Sequence, residues 1–158
     1  MEALKKRRER AYARLRDAGF QKAVVGDPMT IDYLTGIHVI PYERYYGLVL
    51  DAERETAVMV NPTVDTGCMK GTVPEKIYLD SDGPMEAIRE SVGDCKKLAV
   101  EKNYFSMATG ELFQSLGCEV QDIGDCITRL RMCKDEAEVK YLQFAAEIVE
   151  RAIAYVSE

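Results

Sequence analysis

The chain has 158 residues and a mass of 17.8 kDa, and is 47% hydrophobic and 30% charged. At roughly 100–200 residues per domain this is one domain, or one domain and a fragment of another, and it excludes both a large two-domain enzyme and a disordered chain. The net charge of −6 is lopsided: residues 1–16 hold seven basic side chains against Glu2 and Glu9, a net of +5, which leaves −11 on the other 142.

From the amino end, Leu4, Ala11, Leu15 and Ala18 stand seven, four and three residues apart on one helix face, and Gly19 closes that helix. The basic run Lys5, Lys6, Arg7, Arg8, Arg10, Arg14 and Arg16 reads as its solvated face. No aromatic side chain interleaves it and the acidic remainder repels phosphate, so no nucleic-acid partner is expected. No apolar segment follows it, as a secretory signal would require. Lys22–Val25 is a short strand, and Asp27-Pro28 opens a helix through Ile31 and Leu34 that stops at Gly36. Tyr45–Leu50 and Thr56–Val60 form a hairpin across the charged connection Asp51–Glu55. Asn61–Lys76, rich in Gly, Pro and Thr, reads as irregular, and Ile77–Leu79 as a small strand.

Asp82-Gly83-Pro84 turns into a helix over Met85–Ser91, and Lys97–Val100 is the next strand. Ser106 caps a helix ending at Leu116-Gly117, Glu119–Gln121 is an edge strand, and Gly124-Asp125 starts a short helix to about Met132. Strands alternating with helices imply an α/β fold with a mixed sheet covered on its faces. The last segment differs. Asp135 caps a helix in which Val139, Leu142, Ala146, Val149, Ile153 and Val156 repeat at 3, 4, 3, 4 and 3. At 1.5 Å per residue, a helix to Glu158 runs roughly 36 Å, longer than a domain of this size uses. Residues 1–132 are therefore expected to be a domain, and 133–158 a linker helix leading into a domain beyond the chain. The longest apolar run, Ala152–Val156, is five residues against the ~20 that cross a bilayer, so no membrane partner is expected.

The five cysteines, 68, 95, 118, 126 and 133, form no C-x-x-C, and there is one histidine. That set lacks zinc-site spacing and suggests reduced, mostly buried thiols of a cytoplasmic protein. No G-x-S-x-G or H-E-x-x-H occurs, and Thr66–Thr72 lacks the spacing of a phosphate loop. Asp80-Ser81-Asp82-Gly83 lacks the further ligands of a calcium loop and reads as a polar turn. One segment gathers chemistry: Thr35–Tyr46 combines the only histidine, His38, with Arg44, Tyr42, Tyr45 and Tyr46 on a loop shaped by Gly36 and Pro41. Histidine switches charge near neutrality and arginine grips carboxylates. On the residues alone the same segment also reads as a partly buried aromatic loop with Glu43 and Arg44 solvated.

Three stretches together carry a resemblance. They are Asp27-Pro28-Met29-Thr30-Ile31-Asp32-Tyr33-Leu34-Thr35-Gly36, Val100-Glu101-Lys102-Asn103-Tyr104-Phe105-Ser106, and Leu130-Arg131-Met132-Cys133-Lys134-Asp135-Glu136-Ala137-Glu138-Val139. In this order and spacing they resemble the creatinase/prolidase N-terminal domain, across nearly the whole chain. Pro41-Tyr42-Glu43-Arg44 is similar to the Asp-Pro-His-Glu-Arg stretch of bacterial Xaa-Pro dipeptidases, with Ile40 and Tyr42 departing from it. The resemblance implies a six-stranded mixed sheet with flanking helices, ribonuclease H-like. It further implies a non-catalytic domain serving dimerisation and substrate access, with catalysis in an absent C-terminal metallopeptidase domain. That domain would hold two divalent ions (manganese, cobalt or zinc), and the present chain would bind no cofactor and be inactive alone. Its partners would be a second subunit of a homodimer and short proline-containing peptides. His38, Tyr42, Arg44 and Tyr45 would then bind substrate at the other subunit's active site. A creatinase-type amidinohydrolase, an aminopeptidase P, or a peptide- or protein-binding module without activity shares the same architecture.

Overall fold

Strands that run apolar without interruption form the middle of a sheet buried on both faces. The computed structural model describes residues 2–65 and 72–157. Its strands are β1 (Lys22–Val25), β2 (Gly47–Asp51), β3 (Thr56–Pro62), β4 (Glu75–Tyr78), β5 (Lys97–Val100) and β6 (Glu119–Asp122). They form one mixed six-stranded sheet in the order β4-β3-β2-β1-β5-β6. The β1–β2 and β2–β3 pairs are antiparallel, and β1–β5, β3–β4 and β5–β6 are parallel.

Side-chain alternation splits the core into two layers. Ala23, Val25, Leu48, Leu50, Met59 and Ala99 face helices α1 (Glu2–Asp17), α2 (Pro28–Thr35) and α5 (Thr128–Met132), meeting Leu15, Ile31, Leu34 and Leu130. Val24, Val49, Val60, Leu98 and Val100 face α3 (Met85–Val92) and α4 (Met107–Gln114), meeting Ile88 and Phe113. The fold is thus α/β with helices on both faces, as the sequence reading has it.

Several boundaries differ from expectation. Asn61–Lys76 is not wholly irregular: β3 runs on through Pro62, a short 3₁₀ turn covers Thr63–Asp65, and β4 begins at Glu75. Parallel pairing of Met59 with Glu75 and Pro62 with Tyr78 fixes those ends, and composition does not carry that information. Tyr45 lies outside β2 because the Tyr78 hydroxyl accepts from its N–H at 3.1 Å and donates to its carbonyl at 3.0 Å, replacing a ladder partner. Helix α5 starts at Thr128, after a turn in which Gly124 takes φ 56°. The Asp80–Gly83 segment is a turn, with the Asp82 and Gly83 N–H groups both donating to the Leu79 carbonyl at 3.0 Å. Apart from Thr72, the Thr66–Thr72 loop lies outside the described residues.

Two readings of side-chain environment are also corrected. Cys95, Cys118 and Cys126 are half-buried and Cys133 is exposed, so the thiols are not mostly buried; Cys68 lies outside the described residues. The basic face of α1 is not simply solvated. Arg7 donates to the Tyr33 carbonyl and lies 4.5 Å over its ring, Arg8 bonds the Leu34 carbonyl and Thr72, and Arg16 bonds the Ala52 carbonyl and Glu55.

The final helix, α6 (Glu136–Val156), opens with a full capping box between Asp135 and Glu138. Arg7 anchors that first turn at 3.1 Å to Asp135 and 3.4 Å to Glu138. Beyond it, none of the 21 helical residues is buried, and Leu142, Val149, Ile153 and Val156 are more than half exposed.

Candidate functional site

Strands β1 and β5 are parallel neighbours, yet the chain leaves β1 toward α2 on one face and leaves β5 toward α4 on the other. Such a divergence opens a crevice beyond the carboxyl ends of the strands, where α/β sheets characteristically hold ligands. A cleft of about 820 Å³ lies at this edge, within the size range of small-ligand sites. One wall is Pro41–Tyr46 with Tyr78 and Asp80, the other is Tyr104–Ser106 with the first turns of α4, and Gly26 is at the base.

The aromatic floor depends on Gly26. A Cβ there would meet the Phe105 ring at 2.6 Å, so only glycine lets that ring lie on the backbone. Phe105 stacks on Tyr45 with centroids 5.8 Å apart and meets Phe113 edge-on at 5.0 Å. The Tyr45 hydroxyl turns inward over Gly47, buried and without a partner among the described residues, and burial pushes this phenol far above its ordinary range. Tyr46 donates to Asp65, and burial together with that carboxylate pushes it up as well.

Beneath the cleft the three sequence stretches quoted above converge on Asp27. Its carboxylate caps α2 by accepting from the Met29 N–H, and also accepts from the Thr30 hydroxyl at 2.6 Å and from Arg131, with the Tyr104 hydroxyl near enough to lower its pKa further. Burial would raise its pKa, but these donors prevail and hold it below the usual carboxylate range. Glu101 accepts from the Gly26 and Asp27 N–H groups, both at 2.8 Å, fixing the β1–α2 bend. Burial outweighs those two bonds and raises the Glu101 carboxyl.

Of the four residues singled out from sequence, Tyr42, Arg44 and Tyr45 come together on the cleft and His38 does not line it. The His38 ring is exposed, with Nδ1 3.7 Å from Asp32 at the end of α2. Arg44 meets both oxygens of Asp80 at 3.0 and 3.3 Å and Glu43 at 3.1 Å, and Asp80 raises its pKa. The sequence reading gives Tyr78, Tyr104 and Phe105 no site role and takes Asp80 only as part of a polar turn. Tyr104 and Phe105 sit inside a quoted stretch, but nothing local marks Tyr78, whose role depends on a contact 33 residues away. Among the described residues no three His, Cys, Asp or Glu side chains gather as a metal site. No described helix is long and apolar enough to cross a membrane.

Residues 7–133 match the family model described as the creatinase/prolidase N-terminal domain. The chain is 30% identical to a Xaa-Pro dipeptidase of Lactobacillus helveticus over 144 residues, 83% of this chain and 38% of that protein. The dipeptidase PepE structure from Mycobacterium ulcerans superposes with a TM-score of 0.82 at 25% identity, covering 98% of this chain and 43% of that one. A proline dipeptidase structure from Streptococcus pneumoniae gives 0.69 at 27% identity, covering 78% of this chain and 95% of that chain. The chain spans about two-fifths of the length of the curated relatives it matches. With the family model covering most of its length and the same six-stranded sheet, the chain belongs to the creatinase/prolidase N-terminal domain family.

Proposed function

We propose that this chain is the non-catalytic N-terminal domain of a cytoplasmic Xaa-Pro dipeptidase, supporting a homodimer and governing access of short proline-containing peptides. The observation that carries this reading is the 30% identity to a Xaa-Pro dipeptidase over 83% of the chain but only 38% of that relative. Hydrolysis would belong to a C-terminal domain that supplies two divalent ions. Helix α6, with its apolar stripe and no buried residue, supports a linker into that domain.

On this reading the loop carrying His38, Tyr42, Arg44 and Tyr45 presents to the partner's catalytic cleft, with Tyr42 and Tyr45 on the entrance and His38 and Arg44 at the peptide termini. The first test uses the purified 158-residue chain with Xaa-Pro dipeptides and added manganese or cobalt. No turnover is expected, and turnover by the chain alone would overturn the assignment. The second uses the full-length parent, where replacing His38 and Arg44 by Ala should change KM or length selectivity. Unchanged kinetics on dipeptides and tripeptides would remove the access role.

A further inference from the structure

Two thiols outside the cleft meet in space. Cys95 lies two residues before β5, and Cys118 immediately precedes β6. The parallel register sets Lys97 opposite Glu119, so Cys118 stands across from the residue after Cys95, one step out of line. Adjacent strands lie ~4.8 Å apart and one residue adds ~3.3 Å along the strand. Carried past the ends of the paired strands, those spacings put the α-carbons on the order of 6 Å apart, on the ~4.4–6.8 Å scale that a disulfide bridges. Both cysteines pack against the core layer under α3 and α4, where the Cys118 sulfur is near enough to act on the Cys95 thiol.

We propose that Cys95 and Cys118 form a reversible intramolecular disulfide by exchange with a low-molecular-weight disulfide such as oxidised glutathione. Both residues are half-buried, so the pair is shielded yet reachable. In the first step the Cys118 thiolate attacks one sulfur of the small disulfide, forming a mixed disulfide and releasing one small thiol. Cys95 then gives up its proton and attacks the Cys118 sulfur, forming the internal bond and releasing the second small thiol. The two protein thiols are oxidised and the small disulfide is reduced, so electrons balance. Cys118 leads because burial and the neighbouring sulfur push the Cys95 thiol up to about 12, leaving almost no thiolate to start the exchange.

The bond would close the segment that contains α4 and carries Ser106, Thr109 and Leu112 on the cleft wall. Oxidation would thereby brace one side of the cleft and the edge strand β6. Transient disulfides in reducing compartments serve such sensing roles.

The test is to incubate the native chain with oxidised glutathione, alkylate at intervals, and map peptides without reduction. Expected are a Cys95–Cys118 linked pair, a mass decrease of about 2 Da, reversal by dithiothreitol, and slower amide exchange in β6. In Cys95→Ser the reaction should stop at a glutathione adduct on Cys118. In Cys118→Ser no linked pair should form, and burial should keep Cys95 slower to modify than Cys118 is in Cys95→Ser. The proposal is overturned if no linked pair forms while circular dichroism shows native structure. It is equally overturned if the pair forms only in urea, or if either cysteine links instead to another.

Discussion

Asp27 and its neighbours form a charged contact set that long sequence separation hides. Glu101 lies 74 residues from Asp27 and Arg131 lies 104, and both bond it or its backbone. Sequence reading marked all three as members of recurring stretches without assigning them a common task, because a contact of that range leaves no local periodicity. Their titrations oppose one another. Asp27 is held low in the folded state, so its stabilisation is complete above the ordinary ~3.9 and is lost as pH falls through the folded value. Glu101 is raised, so the folded state takes its proton before the unfolded one, and acidification from neutrality adds stability until about pH 4.3. Thermal stability should therefore peak on the mildly acidic side. Glu101→Gln keeps an oxygen for the Gly26 and Asp27 N–H groups and removes the charge. We expect it to melt at or above the parent temperature at pH 7.5 and to lose the mildly acidic rise. Melting curves between pH 4 and 8 check this, and a variant that melts lower while keeping the rise would refute it. Gly26 provides a second residue-level case. Gly26→Ala should cost about 1–3 kcal/mol, because the Phe105 ring must shift against Tyr45 and Phe113. A urea midpoint unchanged from the parent would show that the ring yields freely.

Elements were legible wherever a local signal sets them. The Asp27-Pro28 cap, the Ser106 cap and the Asp135 cap each open the helix expected of them, because the capping side chain bonds an N–H two or three residues on. The boundaries that moved at β4 and at Tyr45 are set by partners elsewhere in the chain, and that of α5 by the turn at Gly124. Helix α6 shows the converse: its apolar periodicity is evident in sequence, yet that stripe meets nothing among the described residues. Its stability contribution to the sheet should then come mainly from Arg7 at its first turn. Ending the chain after Lys134 should change unfolding stability by no more than about 1 kcal/mol, the range of a partly exposed ion pair. It should also remove any concentration-dependent association driven by Val149, Ile153 and Val156. Urea denaturation with sedimentation velocity reads both, and a loss of several kcal/mol would mean that α6 packs on the sheet.

At the scale of the whole molecule, helix placement on opposite faces of β1 and β5 makes the cleft, and on the proposed reading charge selects what enters it. Sequence reading found Tyr42, Arg44 and Tyr45 because they are close in the chain; it could not find that Asp80, 36 residues on, holds Arg44. That pairing changes the role an arginine can play. With Asp80 and Glu43 both on its guanidinium, Arg44 meets an incoming carboxylate only by exchanging one partner for another. In the full-length parent, Asp80→Asn should therefore free Arg44 and lower KM about 3–10-fold for peptides with a free carboxyl end, as expected for a charged hydrogen bond weakened by solvent. The matching C-terminal amides should show no change, and Arg44→Ala should erase the difference in the double variant. The amide comparison separates a carboxylate contact from a general loosening of the loop, since loosening would shift both substrates together. If Asp80→Asn instead raises KM for the free acids, the Arg44–Asp80 pair acts by positioning the loop, and the terminus is held by another group.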